Sequence, residues 1–381
     1  NATPMVYLDH NATTPLDARV LDSMLPYLTS AYANPSSTHR AGRAVRDALE
    51  TARAQVAALV HARPEQVIFT SGGTEANHLA LFGALQHLPP TQLALSAIEH
   101  ASVRAPARQL EQSGWRVDVM PVDANGRVAE NYSYPAATRL VSVMWANNET
   151  GVIQDIRALA RRARAVGAWL HTDAIQAVGK LPVDFAASGV QFMTLAAHKM
   201  GGPKGVGALI VEQGDLLKPV LQGGGQEQGM RAGTENVAGI IGFGVAAEFA
   251  LAELEQRRTQ WRSLRERLEV RLRALGIVAY AAESERLPNT VQFSVPAYAG
   301  ETLPEKLAQA GYALSSGSAC SSGQIAPSHV LTAMGVAREA MRNVLRVSLG
   351  TGNTEADIDG FTVSLAQLLG TQSAWRTQSV A

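Results

Sequence analysis

Disulfides are excluded within this chain, because its 381 residues contain a single cysteine, Cys320. One unpaired thiol fits a reducing compartment, so a cytoplasmic location is expected. Lysine is scarce as well. The only five are Lys180, Lys199, Lys204, Lys218 and Lys306, so chemistry that needs a lysine amine has few candidates. Net charge is absent, with 33 basic against 33 acidic residues, which argues against a nucleic-acid or membrane surface. The longest apolar run, about 237–247, is too short to cross a bilayer and ends at Glu248. The first residues, NATPMVYLDHNATTP, lack a basic region followed by an apolar one, so no secretory signal is expected. No cluster has the ligand spacing of a sulfur-containing metal site, and no metal is expected.

What is present is a globular composition, 46% hydrophobic and 17% charged, enough for a sizeable core. The length suits one large domain with a smaller one. Short β-branched or apolar runs at 67–70, 93–97, 116–120, 140–145, 169–172, 192–196 and 207–211 predict seven strands. Helical patterns at 74–86, 102–112 and 155–165 fall between them. Such alternation predicts an α/β fold with a mostly parallel seven-stranded sheet. Residues 245–275, rich in Glu and Arg, read as one long helix. Beyond it, strands at 290–295 and 345–349 and helices at 301–310, 328–334 and 355–369 predict a smaller α+β domain. The expected division is 15–255 for the large domain, and 1–14 with 256–381 for the small one.

The polar residues that stand out lie where strands stop, and parallel sheets bind ligands at that edge. In VIFTSGGTEAN, a strand runs through Gly72-Gly73-Thr74 into a helix, which suits either a phosphate or an ordinary capped turn. His100 follows the next strand and, taken alone, reads as a capping or core histidine. Asn147 and Asn148 close another and suit turn or ligand chemistry. Asp173 reads as a helix N-cap or as the partner of a buried cation, with Gln176 three residues on. Lys199 ends a central strand, a costly place for lysine unless it does chemistry or binds an anion. A lysine amine, a carboxylate, an aromatic histidine and an anion cup on one edge are the equipment for pyridoxal 5′-phosphate.

The motifs extend along the whole chain: YLDHNATTP at 7–15, NPSSTHRAGR at 34–43, FTSGGTEAN at 69–77, EH at 99–100 and NNETG at 147–151. They continue as HTDAIQAVGK at 171–180, AHKMGGPKGVGAL at 197–209, GGGQEQGMRAGTEN at 223–236, SSGSACSSG at 315–323 and RVSLG at 346–350. In this order they resemble the NifS/IscS-type cysteine desulfurases, of the class V aminotransferase group of fold-type I pyridoxal-phosphate enzymes. The ACSSG form is nearer the NifS branch.

The resemblance implies roles by matching motif. Lys199 would bond covalently to the cofactor, Asp173 would pair with its ring nitrogen, and His100 would stack on the ring and move protons. Gln176 would bond the phenolic oxygen, and Gly73, Thr74 and His198 would hold the phosphate. Thr234 would complete that cup from the other subunit, which implies a homodimer. Asn148 and Arg346, with Asn34 nearby, would grip the substrate carboxylate, since the planar fork of Arg makes two parallel bonds. One position departs from the family. Ala196 stands where a serine hydroxyl often contacts the phosphate.

Cys320 sits where the family carries its nucleophile. It would take sulfur from L-cysteine as a persulfide, release L-alanine, and pass the sulfur to an acceptor such as an iron–sulfur scaffold. The plain alternative is a small buried cysteine, against which Gly317 and Gly323 flank it closely. A flexible stretch of about ten residues spans ~16–19 Å, the scale of such a delivery. Rival expectations are a selenocysteine lyase or aminotransferase of the same fold, or a degenerate sulfur-relay partner without activity.

Overall fold

Side-chain alternation along each strand fills two separate apolar layers. Val67 and Phe69 enter one layer and Ile68 the other; Met193 and Phe192 divide in the same way, as do Ile210 and Leu209. The computed structural model, which describes residues 5–295, 298, 303–316 and 327–370, joins these strands into one seven-stranded sheet. Its order is Val67–Thr70, Gly207–Val211, Phe192–Ala196, Trp169–Asp173, Thr138–Ser142, Gln92–Ser96 and Arg116–Met120. Gly207–Val211 runs antiparallel to both neighbours, and the remaining pairs are parallel. Helices Gly73–Leu85 and Ala101–Gln112 cover one face. Helices Arg40–Leu59, Ile156–Ala165 and Val237–Ala252 cover the other. A sheet buried on both faces explains strands that are apolar throughout.

A second apolar cluster lies apart from these layers. Leu8, Leu264, Leu268, Phe293, Leu345 and Phe361 pack together there. They bring helices Leu254–Ala274 and Glu355–Leu368 onto an antiparallel sheet ordered Ser315–Ser316, Val344–Ser348, Thr290–Ser294. Leu8 follows the short strand Val6–Tyr7, which pairs in parallel with Tyr312–Ala313.

The expected single helix over 245–275 is two helices, Val237–Ala252 and Leu254–Ala274, bent by 70°. The two parts serve different cores. Ile240, Phe243 and Ala247 pack against the sheet, while Leu264, Leu268 and Leu272 pack in the second cluster. At the bend, Glu253 accepts from Arg19 (2.6 Å) and Arg257 (2.6 Å). Smaller differences are at strand ends. Asp173 is the last residue of its strand rather than the first beyond it, and the strand expected at 140–145 is Thr138–Ser142. Among the described residues, no single helix is long and apolar enough to cross a membrane.

Candidate active site

The parallel strands end on one edge, and most of them deliver a polar residue there. Trp169–Asp173 ends in Asp173, only 5% exposed. Its carboxylate accepts from Asn77 Nδ2 (2.8 Å) and from the Ile175 amide (3.0 Å), both neutral donors. Burial raises this carboxyl above the usual carboxylate range, while the Asn77 and Ile175 donors, His100 and Lys199 oppose the shift. Among the described residues no cation makes an ion pair with it. A buried carboxylate in this state has room for one more cationic N–H.

The next strand over, Phe192–Ala196, leads through a short turn to Lys199. Lys199 Nζ donates to the backbone oxygens of Asn11 (2.6 Å) and Ala12 (2.6 Å). Burial first, and the Arg346 charge second, bring this amine down to about 8. His198 places Nδ1 3.1 Å from Thr13 Oγ1, and burial with the nearby lysines lowers its imidazole to about 4.

Thr70 leads into Gly72 and Gly73 at the start of helix Gly73–Leu85, whose free amides form an anion cup. A Cβ at Gly73 would sit 2.2 Å from Ile175 Cδ1, so any larger residue there would push the Ile175 side chain aside. Thr74 is exposed beside it. Ala196 is buried, its methyl 3.6 Å from that same Cβ position. The wall that could offer a hydroxyl to the cup therefore offers a methyl. Behind the cup, Glu75 pairs with Arg231 (2.7 Å), which ties it to the loop carrying Thr234. Glu227 anchors that loop, taking Arg53 through two bonds (2.8 and 2.9 Å) and the Phe69 amide (2.8 Å). Thr234 itself is exposed.

His100 caps helix Ala101–Gln112 and is also exposed. Its Nδ1 accepts from the Ser102 amide (3.1 Å) and meets Ser102 Oγ (2.8 Å), which assigns the ring proton to Nε2. Asn77 Nδ2 donates to both Ser102 Oγ (2.9 Å) and Asp173, joining His100 and Asp173 in one network. Beneath His100, Glu99 is wholly buried and pushed up to about 8 by burial. Its Oε1 accepts from Ser96 Oγ (2.5 Å) and the Met144 amide (2.7 Å).

Arg346 reaches this edge from the second sheet. It donates to the Asn148 carbonyl (2.9 Å) and Asp9 (2.7 Å), and its Nε is buried without a partner among the described residues. A guanidinium has five N–H groups, so three remain for a carboxylate. Asn34 stands apart from these two. Its Oδ1 accepts from the Ser36 amide (2.8 Å), and among the described residues no hydrogen bond joins it to Arg346 or Asn148.

Cys320 lies outside the described residues, but both ends of its segment are placed. Ser315 pairs directly with Arg346. Ser328 donates to Glu149 (2.5 Å), and His329 Nε2 lies 3.0 Å from the Glu99 carbonyl.

Sequence reasoning assigned no role to Asn11, Asn77, Ser102 or Lys180. Asn77 lies one helical turn past Gly73, on the face turned to Asp173, and this spacing was the available signal. Asn11 had none, because its bond to Lys180 joins residues 169 positions apart, whereas Lys180 lies four residues past Gln176, a spacing that was open to reading.

The fold and this edge define the class V aminotransferases, and the chain belongs to that family. Its model matches residues 6–361. A cysteine desulfurase of Gluconacetobacter diazotrophicus is 44% identical over 362 residues, covering 93% of this chain and 90% of that relative. Among solved structures, a NifS-like protein superposes with a TM-score of 0.89 at 34% identity, covering 96% of this chain and 99% of its own. SspA in complex with cysteine gives a TM-score of 0.79 at 31% identity over 90% of this chain and 98% of its own.

Proposed function

We propose that this chain is a pyridoxal 5′-phosphate-dependent L-cysteine desulfurase. The observation that carries the reading is the attachment of the Cys320 segment, with one end on Arg346 and the other on the Glu99–His100 turn. An aminotransferase would not need the Cys320 thiol.

The residues present fit the cofactor. The under-compensated Asp173 carboxylate suits a protonated ring nitrogen, the Gly73 cup suits a phosphate, and Lys199 supplies an amine with an accessible neutral form. When bound, the cofactor supplies an aldehyde and an electron-withdrawing ring that lets an amino acid lose its α-proton. Lys199 would hold the group and, as a free amine, would take that proton. His100 would offer Nε2–H to the ring. His198, neutral in the working range, would help Thr74 and the Gly73 amide hold the phosphate. Arg346 and Asn148 would orient the substrate carboxylate, and Asn34 would join them only by moving from its contact with Ser36.

The Cys320 thiolate attacks the substrate sulfur. The Cβ–S electron pair stays with carbon, which gains a proton to give L-alanine, and the sulfur remains on Cys320 as a persulfide. An acceptor such as an iron–sulfur scaffold then takes it. The working unit is a homodimer in the cytoplasm, with the partner subunit's Thr234 closing each phosphate cup. Supporting this is a row of exposed apolar side chains on and after helix Ala18–Thr29: Leu21, Leu25, Leu28 and Tyr32. The division near residue 255, with 1–14 joined to the small domain, belongs to the same proposal and is supported by the bend at Glu253 and by Leu8 in the second core.

The test is alanine production from L-cysteine, with added cofactor and reductant, in the parent and in Cys320→Ala. Alanine from the parent alone is expected. Equal production by both would remove Cys320 from sulfur transfer. Production by neither would point to the selenocysteine or aminotransferase alternatives, or to an inactive relay partner.

A further inference from the structure

Lys180 is 3% exposed and lies at the foot of the site. Its Nζ donates to Gln176 Oε1 (2.6 Å) and Asn11 Oδ1 (3.0 Å). Among the described residues no carboxylate forms an ion pair with it. A neutral amine has two N–H groups, and these two oxygens use both. An ammonium would bury a third N–H without an acceptor. Burial, and then the Lys199 and Arg346 charges, hold this amine well below the ordinary lysine range.

The consequence falls on Gln176. Its Nε2 donates to the Asn11 carbonyl (2.9 Å) while its Oε1 receives Lys180. Flipping the carboxamide would set oxygen against oxygen at the Asn11 carbonyl and take from a Lys180 N–H its acceptor. The second N–H of Gln176 therefore has a fixed direction. Asn11 is held equally firmly. Its Oδ1 also receives Asn289 Nδ2 (3.2 Å), and its own Nδ2 donates to Thr290 Oγ1 (2.8 Å) and the Asn148 carbonyl (3.2 Å). The Asn11 carbonyl is the point where Lys199 and Gln176 converge.

We propose that Lys180 is a positioning residue, an amine that fixes the side-chain carboxamides of Gln176 and Asn11 and so sets which group faces the cofactor's phenolic oxygen. The inference rests on the proposed cofactor. The other titratable or charged groups facing this corner are Asp9, His10, Asp173, His198 and Arg346, with Lys199 itself. All stay unchanged in the test.

Parent, Lys180→Met, Gln176→Leu and the double variant are loaded with pyridoxal 5′-phosphate. Each is titrated from about pH 6 to pH 10, reading the cofactor's visible absorption and not turnover. Losing an N–H to a charged oxygen makes that oxygen hold its proton more tightly. Lys180→Met is therefore expected to raise the midpoint by about one pH unit, a tenfold change in proton affinity. Gln176→Leu should shift it the same way, and the double variant no further than Gln176→Leu alone. A Lys180→Met midpoint equal to the parent's overturns the proposal, as does a double variant that sums the two shifts. If Lys180→Met does not fold by thermal melting, Lys180→Gln takes its place under the same comparison with Gln176→Leu. A parent that shows no cofactor band removes the proposed function and this inference together. With a band in the parent, an unshifted midpoint counts against Lys180 alone and leaves the proposed function standing.

Discussion

In the proposed function, Lys199 sets the pH at which the site is ready. An ordinary lysine titrates near ~10.4, and this one is lowered to about 8. At pH 7 roughly a tenth of it is neutral, against well under ~0.1% for an ordinary lysine. The rate of cofactor uptake by stripped protein is therefore expected to rise with pH through a midpoint near 8 and then level off. A rate that stays flat across that range would contradict the assignment. Stability has the matching sign. The folded chain binds this proton more weakly than the unfolded one, so the lysine lowers stability fully below about 8, and the penalty fades as pH rises toward ~10.4. Ala196 gives a second prediction. Its buried methyl faces the phosphate cup, so Ala196→Ser places a hydroxyl there. A hydrogen bond to a charged group is worth about 1.5 kcal/mol or more, so the cofactor's dissociation constant should fall roughly tenfold or more. An equilibrium titration of cofactor fluorescence measures it, and unchanged affinity would mean that the cup is already saturated.

At the scale of elements, the sequence was most readable where chemistry follows a strand. Asp173, Lys199, Gly73 and His100 each sit within a few residues of a strand end, so the alternation that finds the strand also finds the residue. The bend at Glu253 was hidden because helical propensity is continuous across it. Only the division of Phe243 and Leu268 between two cores forces the chain to turn. The strand Ser315–Ser316 was equally hidden. Two serines carry no hydrophobic signal, and their pairing beside Arg346 is a matter of register with a distant strand.

At the scale of the whole molecule, the N-terminal segment is the seam between the two sheets. Asp9 holds Arg346, Asn11 holds Lys180 and Lys199, and Thr14 holds the His198 carbonyl (2.9 Å). The motif YLDHNATTP was recognisable, but its work was not, because every one of those partners is more than 160 residues away in the chain. The proposed dimer is tested at this scale. Thr234→Ala should lose its cofactor more readily in dialysis, and dilution of the parent should lower activity as the subunits part. Full activity from a monomer would rule out a shared cup.

Gly207 lies in the strand of the large sheet that runs against both its neighbours, and an added Cβ there would lie 2.6 Å from the carbonyl carbon of Gly72. Gly207 thus lies between the anion cup and the Leu195 carbonyl of the lysine strand, 2.8 Å from that Cβ, with no space for even a methyl group. In a saturation library of this position, glycine alone should survive selection for cofactor retention. Any homologue with another residue there has moved its cup.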